Sequence, residues 1–100
     1  YPEKEIRPYV NADMAQWLVD KGVKCIGFAD GVDIETNVPE FQAFHRVAMG
    51  ADITFIEVLE NFDQLSADVF FLVALPMYIT GLDSCPVRVA AIEGLPGFDK

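Results

Sequence analysis

The chain has a single histidine, His45, and no Cys-x-x-Cys, Gly-x-Ser-x-Gly, Walker loop or Gly-x-Gly-x-x-Gly. The common nucleophilic, phosphate-cradling and dinucleotide-binding templates are therefore absent, cofactor-binding residues of that kind included, and the search for chemistry narrows to carboxylates and His45. Among the carboxylates Glu57 stands out by position. It follows the apolar run Ile53 to Ile56, and a carboxylate at the end of a buried parallel strand lies where α/β folds place ligands. On the residues alone two readings stay open: a His45 and Glu57 site, or a satisfied core-edge histidine beside a solvated glutamate.

The elements that must position this pair can be read from spacing. Asn11 caps a helix expected from Ala12 to Lys21, with Met14, Trp17 and Leu18 on one apolar face and Gly22 in the left-handed position beyond it. Val23 to Phe28 reads as a buried strand. After a polar connection from Asp33 to Thr36, Asn37 and Glu40 form a capping box with Pro39 in the first turn. The second helix should run to Met49 and stop at Gly50, with Phe41, Phe44, Val47 and Ala48 on its core face and His45 at the edge of that stripe. Ile53 to Val58 is the next strand, which makes a βαβ unit with parallel pairing.

Beyond it, Asn61 to Ala67 is a loop or short helical turn and Val69 to Ile79 a strand that Pro76 sends to an edge or bulge. Gly81 to Pro86 is turn chemistry, Val87 to Ile92 a return strand, and Gly94-Leu95-Pro96-Gly97 the tail. The opening Tyr1 to Tyr9, with Pro2 and Pro8, suits an extended arm. The expected class is α/β with about four strands and two helices.

A length of 100 residues sets an expectation of one domain. The net charge of −9 opposes nucleic-acid backbones and anionic membranes. The longest apolar run falls well short of the ~20 residues of a membrane span. Cys25 and Cys85 make no disulfide framework, and with no secretory signal at the start a reducing, cytoplasmic setting is expected. At 52% hydrophobic the composition supports a core, and a chain this short and apolar should expose its excess unless a partner covers it.

The stretch His45-Arg46-Val47-Ala48-Met49-Gly50-Ala51, followed by Ile53 to Ile56 and Glu57, resembles the second half of the cyclase family of metal-dependent hydrolases, which includes bacterial kynurenine formamidase and isatin hydrolase. The run Phe70 to Pro76, then Gly81, Asp83, Ser84, Pro86-Val87-Arg88 and Ala90-Ala91-Ile92, is similar to that family's C-terminal strand pair. The resemblance implies part of a swivelling β/β/α cyclase-like domain. It also implies that His45 and Glu57 are metal ligands for zinc or manganese, a role that an imidazole nitrogen and a carboxylate oxygen suit.

The implied activity is hydrolysis of an amide, formamide or lactam C–N bond in a small molecule by metal-activated water. The family's remaining ligands come from an N-terminal His-x-Gly-Thr-His-x-Asp type motif, and this chain has no second histidine. Two ligands cannot hold a catalytic zinc, which takes three and keeps one position for water. The expectation is that residues 1–100 are the C-terminal part of one such domain, inactive alone. The N-terminal half, or a companion chain, completes the site, and a homo-oligomer is expected from the family. The alternative is a non-catalytic binding or scaffolding subunit that keeps the fold. No catalytic group can be named. Arg46 is either an acid-pairing residue or a helix-surface cation; Cys85 is read as buried and structural, and Phe41, Phe44, Phe70 and Phe71 as core.

Overall fold

A computed structural model describes residues 7–33 and 37–99. The first six residues of the expected arm, most of the connection after Asp33, and Lys100 lie outside the described residues. The chain forms two compact units, Tyr1–Glu60 and Asn61–Lys100.

The first unit contains α1 (Ala12–Asp20), β1 (Cys25–Ala29), α2 (Val38–Gly50) and β2 (Thr54–Leu59). The Asn11 side chain accepts the Met14 amide at 3.0 Å, as the cap reading expects. At the other end Gly22 is left-handed, its N–H donates to Val19 and the Val23 N–H reaches back to Leu18. That pair of bonds closes α1 as a Schellman motif.

The ends of α2 depart from expectation. Asn37 makes no side-chain cap bond; its amide instead donates to the Asp33 carboxylate at 2.9 Å. Gly50 is the last helical residue and Asp52 takes the left-handed position, with Asp52 N–H donating to Met49 and Ile53 N–H to Ala48. The same Schellman closure is therefore built around Asp52, and it delivers Ile53 directly into the core beside Ala48.

β1 and β2 pair in parallel, completing the βαβ unit, with Cys25 opposite Thr54 and Gly27 opposite Ile56. Ala15, Phe44, Ala48 and Ile53 form the buried core, with Ile26, Phe28 and Phe55 packed against it. Phe28, Phe44 and Phe55 meet one another edge-on or tilted at centroid distances of 5.5 to 5.7 Å. Asp33 is buried and is held by Arg7 at 3.6 Å as well as by Asn37, so the end of the arm that is described is tied to this unit.

The second unit has a 3₁₀ turn (Phe62–Gln64) within the expected loop, and an antiparallel pair of β3 (Phe71–Pro76) and β4 (Val87–Ile92), registered from Phe71 opposite Ile92 to Pro76 opposite Val87. β4 has the expected bounds, whereas β3 stops at Pro76; one further bond follows, from the Met77 N–H to the Pro86 carbonyl at 2.9 Å, and Pro86 has no N–H to return it. The four strands and two helices of the α/β expectation are all present, as two separate two-stranded sheets.

The strands are less buried than their apolar character suggested. Only one face of the β1–β2 pair meets the core, and no described residue from Asn61 to Asp99 is buried. Met14 and Trp17 of the expected α1 stripe are exposed, with the Lys21 ammonium 5.3 Å from the Trp17 ring centroid. Of the aromatic residues assigned to the core only Phe44 is fully buried; Phe41, Phe70 and Phe71 are half-buried, and Phe71 packs edge-on against Phe98. Cys85 is exposed rather than buried, and both cysteines are free thiols.

Candidate functional site

α2 and β2 bring together the two residues singled out in the sequence. His45 lies two turns into α2, on the edge of the stripe that carries Phe44 into the core. Glu57 is the fourth residue of β2, two beyond Phe55 and therefore on the same face of the strand. Their side chains meet, His45 Nε2 lying 3.2 Å from Glu57 Oε1. The imidazole is mostly covered (24% exposed) and the carboxylate about half open to solvent (51%).

Two neighbours that sequence reasoning did not assign to the site fix the ring. The Phe41 and Phe55 rings stand edge-on to the imidazole at centroid distances of 4.3 and 4.6 Å. His45 Nδ1 lies 2.8 Å from the Phe41 carbonyl oxygen, one helical turn back. A carbonyl only accepts, so Nδ1 carries a proton and donates. The i, i+4 spacing of Phe41 and His45 on a helix is the signal that could have revealed this contact.

This bond settles what faces Glu57. With Nδ1 protonated, the neutral ring presents a lone pair at Nε2, and an ionised carboxylate also presents lone pairs. Two acceptors 3.2 Å apart are reconciled either by a second ring proton or by a cation shared between them. Bonds of ~2.0–2.1 Å to an imidazole nitrogen and a carboxylate oxygen put two ligand atoms of a tetrahedral zinc about 3.3 Å apart, close to the spacing seen here. The pair thus fits two adjacent positions of a coordination shell, and a tethered Nδ1–H is how metal-binding histidines are commonly held.

No group of three or more His, Cys, Asp or Glu suited to a metal occurs among the described residues. Arg46 is exposed on α2 and, with Phe41, Gln42 and His45, lines a shallow open depression. The site is therefore an accessible pair of donor atoms, one on a helix and one on a strand.

Over 90 residues the chain is 33% identical to a protein named kynurenine formamidase from Bacillus cereus, and 32% identical to proteins of the same name from Bacillus anthracis and Bacillus mycoides. The chain resembles part of a kynurenine formamidase. The matched stretch covers 84% of this chain and 39% of each of these relatives, so the chain spans about two fifths of the formamidases it matches. That partial extent fits a C-terminal match to a cyclase-like family, as the strand-pair resemblance led one to expect. No family profile matches the chain, and no solved structure matches it. No helix among the described residues is long and apolar enough to cross a membrane.

Proposed function

We propose that the chain is the C-terminal portion of a metal-dependent hydrolase that cleaves an amide, formamide or lactam C–N bond in a small molecule, with His45 and Glu57 as two of its metal ligands. The observation that carries this reading is the approach of His45 Nε2 to Glu57 Oε1 while Nδ1 is committed to the Phe41 carbonyl. The similarity to formamidases supplies the reaction class. The remaining ligands come from the N-terminal portion or a companion chain, because His45 is the chain's only histidine. Zinc and manganese both suit an imidazole and a carboxylate.

When bound, such an ion supplies a water with pKa of ~7 and polarises the scissile carbonyl. The chain's own residues prepare the place for it. Phe41 fixes the ring tautomer through its carbonyl, and the Phe41 and Phe55 rings hold the imidazole plane. Glu57 contributes negative charge at an edge open to an incoming ligand. A scaffolding subunit that had lost its chemistry would have no need to keep these two side chains converged.

The test is metal analysis of the chain alone and of the chain assembled with the polypeptide that precedes or accompanies it. Metal retained stoichiometrically only in the assembly, and lost with His45→Ala or Glu57→Gln, is the expected result. Full metal content and full amidohydrolase activity in the assembled His45→Ala variant would overturn the assignment.

A further inference from the structure

Immediately after Glu57 the parallel ladder slips. Gly27 is opposite Ile56, but two residues later Ala29 is opposite Leu59, so β2 spends one residue more than β1 over the same span. This is a β-bulge, and Val58 takes it up with φ of +58°. A β-branched residue in the left-handed region is a genuine outlier, and such conformations persist only when the surroundings fix them.

The consequence is a change of face. In an unbroken strand Phe55, Glu57 and Leu59 would all point toward α2. The extra residue turns Leu59 to the other side of the pair, where its Cδ1 sits 2.8 Å from the position a Gly27 Cβ would occupy. Gly27 has no side chain, and Leu59 fills that space. The α2 side of β2 therefore ends on Glu57, with no leucine following it beside His45.

We propose that Val58, Leu59 and Gly27 act as positioning residues for the His45 and Glu57 pair: the bulge, pinned by Leu59 on Gly27, terminates the apolar face at Glu57 and holds its carboxylate at Nε2. The geometric claim stands on the metal-free chain, and its relevance to catalysis rests on the metal-ligand reading above.

Because His45 is the chain's only histidine, isotope labelling of this chain gives one imidazole spectrum, with or without a companion polypeptide. The Glu57→Ala variant, which removes the partner altogether, defines the ring-nitrogen signals of a broken contact. Deleting Val58, which restores strand alternation, and Leu59→Ala, which removes the pin, should each move the metal-free His45 signals at least halfway to the Glu57→Ala values. Signals of Phe44, which lies in the core, should stay in place. Val58→Gly, which accepts the same backbone angle, should leave His45 unchanged. Either of the first two variants, folded and with wild-type His45 signals, overturns the proposal. Should the deletion fail to fold, Leu59→Ala decides. Zinc titrated afterwards into the assembled protein tests the ligand reading separately: positioning can hold while zinc binding fails, and the reverse.

Discussion

The carbonyl oxygen of Phe41 holds His45 Nδ1 at 2.8 Å, so the helix that displays the imidazole also sets which of its nitrogens carries the proton. The Nδ1 signal in ¹⁵N spectra of the folded chain should therefore be that of a protonated nitrogen, before and after a divalent ion is added. An Nδ1 found as a bare lone-pair nitrogen would show that the ring is flipped or free, and would remove the basis for presenting Nε2 to Glu57.

Phe44 is the only large side chain fully buried among the described residues, at 1% exposure, and it touches Phe28 and Phe55. Phe44→Ala should cost ~3–5 kcal/mol, a large part of the ~5–15 kcal/mol that holds a typical domain together. The variant should lose most of its cooperative transition in a urea melt followed by circular dichroism. A loss below about 1 kcal/mol would mean that the small core is not what organises this unit.

Trp17 gives the opposite expectation. It is 60% exposed and the Lys21 ammonium lies 5.3 Å from its ring centroid, so Trp17→Ala should change stability by about 1 kcal/mol or less. A loss comparable to that of Phe44→Ala would show that the α1 face is covered in solution. Thermal melts of the two variants side by side make the comparison.

The contrast between these residues shows what the sequence could and could not convey. Helix and strand positions follow from local chemistry, and so the Asn11 cap, the Gly22 closure and the bounds of β4 could be read directly. Burial depends on what covers a face: the stripe of Met14, Trp17 and Leu18 has helical spacing, yet only part of it meets a neighbour. Asn37 has the spacing of a capping residue, but its Nδ2 donates to Asp33 and its side chain makes no cap bond. The left-handed turn at Asp52 and the bulge at Val58 lacked the glycine that usually marks such positions. Of the site, His45 and Glu57 were visible as residue types with a family-like interval, while the carbonyl and the bulge that aim them needed coordinates.

Val58 carries a strain that glycine would not. A left-handed conformation costs an L-residue ~1–2 kcal/mol, and at 62% exposure Val58 returns little from burial. Against this, glycine in an extended strand is ordinarily unfavourable by ~0.5–1 kcal/mol through chain entropy. Val58→Gly should then be neutral or stabilising by up to about 1 kcal/mol, measured by urea denaturation. A destabilisation beyond about 1 kcal/mol would mean that the valine side chain itself holds the bulge.

In the second unit Glu93 fastens the segment after the 3₁₀ turn to the end of β4. Its carboxylate accepts the Ser66 hydroxyl and amide, both at 2.7 Å, and the Ala67 amide at 3.0 Å. The Ser66 hydroxyl, followed by the Ala67 and Ser66 amides, stabilises the ionised form and lowers the Glu93 pKa below its ordinary value. A carboxylate whose pKa is lower folded than unfolded adds stability that is complete above the unfolded value, near 4.5, and disappears as pH falls through the lower folded value. The Ser66 and Ala67 amides should thus be protected from hydrogen exchange at pH 6, after correction for intrinsic rates, and lose that protection as pH falls through the lowered folded value. Glu93→Ala should abolish it at every pH, and Glu93→Gln should keep at most part of it, without the acid-dependent step. Equal protection in wild type and Glu93→Ala at pH 6 would show that this carboxylate does not hold the loop.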